Sequence, residues 1–255
     1  MSREDRPELT AADGAAREAR SSRGQPLVAE LAREFSKIAR ALQAEPDPPQ
    51  VLQSIVDAAV TEVPGARYAG VSLIQRGGRT STEAQTHPLV DRVDQAQYAN
   101  GDGPCMTALR EHVTVHSADL RHEPRWPNFA TAAVEMGVLS MLSVQLFVRA
   151  ENLGALNLYA EQPDAFDDDD ETIALLLASH AAVALAQARK IENLTIALHA
   201  RDAIGQAKGI LMERFKIDAD QAFQILIAIS QHQHRKLRDV AADLAQTGEV
   251  PLEGS

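Results

Sequence analysis

Apolar residues recur at Leu27, Leu31, Phe35, Ile38 and Leu42, the three-and-four step of a helix face, until Pro46, Pro48 and Pro49 interrupt it. Val51, Leu52, Ile55, Val56, Ala59, Val60 and Val63 repeat the pattern in a second helix closed by Pro64 and Gly65. The period then shortens. Tyr68 to Gln75 reads as a strand ended by Gly77 and Gly78, and His112 to His116 as another. Val138 to Arg149 and Leu153 to Tyr159 flank Ala150, Glu151 and Asn152, which predicts a hairpin with Val144, Leu146, Val148, Leu156 and Leu158 on its inner face. Two short helices interrupt the strands: Pro104 to Glu111 opens on a proline, and Asn128 to Met136 is closed by Gly137. The pattern predicts an α+β domain built on an antiparallel sheet.

After Pro163 no proline occurs until Pro251, and helix spacing returns. Asp167 to Glu171 are five consecutive acids suited to the positive end of a helix dipole, with their side chains expected in solvent rather than around a metal. Behind them Ile173, Leu176, Leu177, His180, Val183, Ala184, Gln187, Ile191, Leu194 and Leu198 form a seam. Unbroken to Arg214, such a helix is about 70 Å long at roughly 1.5 Å per residue, more than a small domain covers. A coiled-coil dimer contact is therefore expected over about residues 171–205, within a homodimer. Three short amphipathic helices follow. The first carries Ile204, Ala207, Leu211 and Phe215 on one stripe. The second is opened by Asp218 and Gln221 as a capping-box pair, with Ile217 and Ala222 as a hydrophobic staple, and carries Ala219, Phe223, Leu226 and Ile229. The third carries Leu237, Val240, Ala241 and Leu244. Phe215 and Phe223 are expected in the core.

Composition narrows the class. The 255 residues are 45% hydrophobic and 24% charged, as in ordinary globular chains, with a net charge of −11 that excludes a uniformly basic nucleic-acid coat. Residues 1–26 balance five basic against five acidic residues with almost no large apolar side chains, so a flexible tail is expected there, and another at 248–255. Residues 27–190 then form a sensor-type domain and 191–247 a second one. The charge supports the division: residues 27–194 carry a net −10, residues 195–247 a net +1. No apolar run approaches the roughly 20 residues of a membrane span, so a cytoplasmic protein without membrane attachment is expected. Cys105 is the only cysteine and forms no intrachain disulfide.

The stretch from Arg201 through Gly205, Lys208, Gly209 and Arg214, then Asp218 to Leu226, Ser230 and Arg235 to Ala241, closely resembles the ANTAR family of RNA-binding antitermination domains. The resemblance implies a three-helix bundle that dimerises and binds paired hairpins in nascent mRNA, so that a terminator downstream does not form. Gly103-Pro104-Cys105, Asp119-Leu120, Arg125-Trp126-Pro127, Phe129, Gly137 to Ser140, Leu153 to Tyr159 and Phe166 resemble a GAF domain of the kind fused to ANTAR in actinobacterial regulators. That implies an antiparallel sheet with flanking helices, joined by a long connecting helix to the C-terminal bundle, and a small-molecule ligand whose identity the residues do not give. No cofactor is specified either.

RNA binding needs cations for phosphates and hydrogen-bonding or stacking groups for unpaired bases. Arg201, Lys208, Arg214, Lys216, Arg235, Lys236 and Arg238 supply the first, and Gln206, Gln233 and His234 the second. Cys105, Trp126 and Phe129 are the candidate ligand-sensing residues of the sheet domain. A thiol at a helix start is one whose pKa falls, which admits a redox role for Cys105 beside a plain structural one. His112, His116 and His122 lie near it in sequence, but their spacing is too loose for a metal site. No phosphate loop, nucleophile elbow or His-Glu-x-x-His pattern is present, and methionine sulfoxide reduction in this fold uses several cysteines, so no enzyme is expected. A DNA-binding regulator using the same C-terminal helices and a pure protein-interaction module remain the alternatives.

Overall fold

The computed structural model describes residues 36–42, 44–75, 77–111, 113–148 and 151–250. The two expected flexible tails except residues 248–250, most of the first apolar helix, His112, Arg149 and Ala150 lie outside the described residues. The chain divides into two compact units that meet at Ala188 and Arg189.

The first unit is built on five antiparallel strands: β1 Tyr68–Ile74, β2 Thr80–Gln85, β3 Val115–Ser117, β4 Ser140–Val148 and β5 Glu151–Ala160, in spatial order β2-β1-β5-β4-β3. Alternation assigns the two faces. Leu142, Val144 and Leu146 on β4, with Leu156 and Leu158 on β5, pack on one side against α1 (Pro48–Glu62), through Val51, Ile55, Val56 and Ala59. Ala174, Leu177, Ala178, Ala181 and Leu185, from the first half of a long helix, complete that layer. Each fully buried leucine or isoleucine here contributes about 1.5–3 kcal/mol. On the other side Met141 and Tyr159 meet Leu89, Val90 and Val93 of α2 (Pro88–Asn100), Ala108 of α3 (Pro104–Glu111) and Phe129 of α4 (Pro127–Glu135).

Segment 80–100, without assignment in the sequence reading, supplies strand β2 and helix α2. Pro88 in the first turn, the His87 imidazole accepting the Leu89 N–H, and left-handed Gly101 at the end delimit α2. The hairpin, the strand at Tyr68 and the helix at Pro104 stand where the periodicity places them; the third strand sits slightly later than expected, at Val115–Ser117.

Helix α5 runs unbroken from Asp168 to Phe215. It contains a window of mean hydropathy 1.4, long and apolar enough by composition to cross a membrane, which the sequence reading did not detect. In the first unit its alanines and leucines cover the sheet. The acidic start is not wholly solvated as expected. Asp167 Oδ1 accepts the Asp169 and Asp170 N–H groups (3.0 and 2.9 Å), whereas Asp170 is buried and accepts the Asp167 N–H (3.1 Å) and the Gly65 N–H (3.3 Å). One acid of the run is thus a structural cap that ties the helix to the loop after α1.

The seam also separates in two. Leu177, Ala184 and Ile173 face the sheet core, while Leu176 (44% exposed), Val183 (39%), Ile191 (49%), Leu194 (56%) and Leu198 (60%) stand outside it. Helix α5 therefore carries two apolar faces.

In the second unit, the end of α5, α6 (Ala219–His232) and α7 (Leu237–Thr247) enclose Ala207, Leu211, Ala222, Leu226, Val240, Ala241 and Leu244. The capping box forms as read: Asp218 Oδ1 accepts from Asp220 and Gln221, and Gln221 Oε1 accepts from the Asp218 N–H. Phe215 departs from expectation. It is 46% exposed, because the helix ends beside it at left-handed Lys216 and the chain turns away before a neighbour can cover the ring.

Candidate nucleic-acid interface and sensor pocket

Local chain geometry places the second unit's polar residues. Arg201 and Lys208, two turns apart, share one flank of α5, and the Lys208 Nζ lies 5.6 Å from the centre of the half-buried Phe223 ring on α6. On the other flank, Gln206 and Arg214 line an open groove with Gly209, Ile210, Glu213 and Ala245 of α7. An added Cβ at Gly205 or Gly209 would meet nothing, so neither glycine is required by packing within the described chain. Helix α6 is followed by Gln233 and then by His234, which is left-handed (φ 52°) while the Arg235 N–H returns to the Ser230 carbonyl (3.1 Å). His is among the side chains that tolerate this conformation, so position 234 has a backbone role beside any contact with a base.

The cations differ in their freedom. Lys216 pairs with Glu213 (2.5 Å), Arg235 with Asp243, and Arg238 with Asp239 (3.3 Å). Arg201, Arg214 and Lys236 are exposed and have no ion-pair partner among the described residues. Gln233 is half-buried and hydrogen-bonded or otherwise engaged. The ten sequence-predicted residues thus fall on two flanks of α5 and around the α6–α7 turn.

In the first unit, the sheet face beneath α2 and α3 is polar at its centre. Ser72, Ser143 and Asn157 are buried there, and Asn157 Nδ2 donates to Ser72 Oγ (2.8 Å). Asp94, wholly buried on α2, accepts from the Tyr159 hydroxyl (2.5 Å) and Gln97 Nε2 (3.0 Å) through Oδ1 and from Thr82 (2.7 Å) through Oδ2. Burial pushes its carboxyl up to about 6 against these three donors, which favour the charged form. Tyr98 donates to Ser72 (2.7 Å), and burial raises both its hydroxyl and that of Tyr159. Gln97 Oε1 accepts the Cys105 N–H (2.9 Å) and lies so close to Gly103 (φ 124°) that a Cβ there would stand 2.5 Å away. Only glycine fits.

Cys105 is fully buried beside this network. Burial first, and the Asp94 charge second, push its thiol up to about 12, so the helix start does not produce a reactive thiolate. Phe129, on α4, is fully buried in the core. Trp126 is buried with its indole N–H donating to Thr107 Oγ1 (3.1 Å) and the Arg125 guanidinium over its ring at 4.2 Å. Of the three sensing candidates, Cys105 adjoins the polar network and Trp126 lines a separate cleft. The residues missed are Ser72, Thr82, Asp94, Gln97, Tyr98 and Asn157. Leu89, Val90 and Val93 followed by Gln97, between Pro88 and Gly101, were the available helix signal. Among the described residues, no three His, Cys, Asp or Glu side chains group as metal ligands.

A family model for the GAF domain matches residues 45–186, and one for the ANTAR domain matches residues 192–244. No curated protein matches the chain. Among solved structures, the chromophore-binding domain of an unusual bacteriophytochrome from R. palustris is similar at 13% identity and a TM-score of 0.50, over 63% of this chain and 63% of that one. The free methionine-R-sulfoxide reductase from Neisseria meningitidis, in complex with its substrate, is 20% identical over 61% of this chain and 88% of its own, with a TM-score of 0.49. The GAF domain of a phosphoenolpyruvate-protein phosphotransferase from Coxiella burnetii is 20% identical over 62% and 94%, with a TM-score of 0.48. These likenesses concern the fold alone.

Proposed function

The chain belongs to the GAF domain family and carries an ANTAR domain behind it, and from that premise we propose that it is a cytoplasmic, homodimeric, signal-responsive regulator that binds paired hairpins in nascent mRNA and is not an enzyme. The observation that carries the reading is the ANTAR match over the unit that exposes Arg201, Arg214 and Lys236, with half-buried Lys208, on its own three-helix core. Two flanks of cations per protomer, doubled in a dimer, suit two short hairpins. The free apolar residues of α5 repeat at heptad distance, Leu176 to Val183 and Ile191 to Leu198, and a second copy of the same helix covers them. A ligand held by the first unit shifts the packing of that seam and with it the spacing of the RNA-binding heads. The buried, high-pKa Cys105 supports a reading without thiol catalysis.

The test is fluorescence anisotropy with a labelled RNA of two hairpins. If about four phosphates are neutralised per chain, log Kd changes with log salt at a slope near 3. Lys208→Ala reduces that slope by roughly 0.7 and weakens binding to every hairpin sequence alike. Binding that ignores salt, or complete displacement of the RNA by equimolar duplex DNA, refutes the assignment.

A further inference from the structure

A cleft of about 410 Å³ opens at the outer side of α3, where β3 and the turn before α4 meet it. Its size lies within the roughly 300–1,000 Å³ of small-molecule sites. Asp102, Arg110 and His116 line it, and the Asp102 Oδ1 and His116 Nε2 atoms are buried without a hydrogen-bond partner among the described residues.

The wall is rigidly built. Asp102 stands between two glycines of positive φ, Gly101 (66°) and Gly103 (124°), in the turn that joins α2 to α3. Arg110 Nη1 donates to the Gly101 carbonyl (3.1 Å), which holds an exposed guanidinium against the residue next to Asp102. Opposite, the His116 ring meets Phe166 edge-on at 6.2 Å between centres, and Arg125 Nη2 donates to the His116 carbonyl (2.7 Å) while its guanidinium lies over Trp126.

We propose that this cleft binds a free polar α-amino acid, with its ammonium on Asp102, its carboxylate on Arg110 and its side chain toward His116. A carboxylate and a guanidinium lining one cleft complement a cation and an anion carried on one carbon atom. A simple anion meets the Asp102 charge, and a simple amine leaves Arg110 unused. The inference deepens the sensor role above by naming the chemistry of its signal. Its test contains no RNA, so the failure of one reading is separate from the failure of the other.

The full-length chain is melted with each of the twenty L-amino acids at about 10 mM, since a ligand that binds only the folded state raises Tm. Any that raises Tm is measured by calorimetry. At least one polar amino acid binds, and Asp102→Asn and Arg110→Gln each weaken it tenfold or more. The decarboxylated amine and the deaminated acid of the same compound bind at least tenfold more weakly than the amino acid. No rise in Tm with any of the twenty, equal affinity in Asp102→Asn, or equal affinity of the amine alone overturns the proposal.

Discussion

Asp94 is a carboxyl without a cationic partner in a buried network, and its replacement by asparagine tests how that network holds. Its pKa rises from 3.8 to about 6 on folding, because burial outweighs the three hydrogen bonds it accepts. The folded chain therefore holds a proton over a pH range where the unfolded chain has released it. The stability associated with that proton is fully present below about pH 4 and is lost as pH rises through about 6. A shift of about two units corresponds to about 3 kcal/mol. Asparagine stands in for the protonated acid: its carbonyl accepts from Tyr159 and Gln97, and its amide donates to Thr82, whose own proton can turn to Tyr98. The stability difference between wild type and Asp94→Asn should accordingly move by about 3 kcal/mol between pH 4 and pH 8, in favour of the variant at the alkaline end. Other carboxyls cancel in the comparison, including Glu123, which Arg125 holds down at about 2. The assay is urea denaturation followed by the fluorescence of Trp126, the single tryptophan and a buried one in the first unit. A difference that stays constant over this pH range, or grows in favour of wild type, refutes the account of Asp94 as a desolvated acid.

Three further tests probe the other elements. The Cys105 thiol, buried and raised, should leave a thiol-reactive disulfide reagent unconsumed at pH 8 until denaturant unfolds the first unit; rapid reaction of the folded chain contradicts this placement. Asp170→Ala removes the acceptor for two backbone N–H groups, at Asp167 and Gly65, and should cost about 1–3 kcal/mol in the same urea assay, whereas loss of a merely solvated acid costs almost nothing. Leu194→Glu with Leu198→Glu alters side chains that are 56% and 60% exposed within the chain, so it should leave helicity unchanged and shift the sedimentation equilibrium from dimer to monomer; an unchanged mass excludes this seam.

What the sequence disclosed follows from where the chemical signal is concentrated. The β4–β5 hairpin was legible because Val144, Leu146, Leu156 and Leu158 alternate with the pleat, and the second unit because its caps and apolar steps are local. Strand β2, Thr80–Gln85, carries one buried residue, Ala84, and so offers no alternation to read. Helix α2 buries Asp94 and Gln97 where an amphipathic pattern expects apolar side chains, which concealed both the helix and the polar network it completes. Along α5 the opposite difficulty arises. An apolar residue at every third or fourth position gives one seam in sequence, yet Leu177 and Leu176 lie on different faces of the same helix, one against its own sheet and one outside it. Periodicity reports that a face is apolar and not what covers it. The cations meet the same limit. Sequence places Lys208 and Arg214 on one helix, but a helix turns about 100° per residue, and the six steps from one to the other carry one toward Phe223 and the other toward Ala245. An RNA that engages both must therefore reach around α5 or meet the second flank on another protomer, and this requirement makes the monomeric Leu194→Glu/Leu198→Glu variant informative twice: it should lose the two-hairpin RNA while retaining weak, salt-sensitive attachment to a single hairpin.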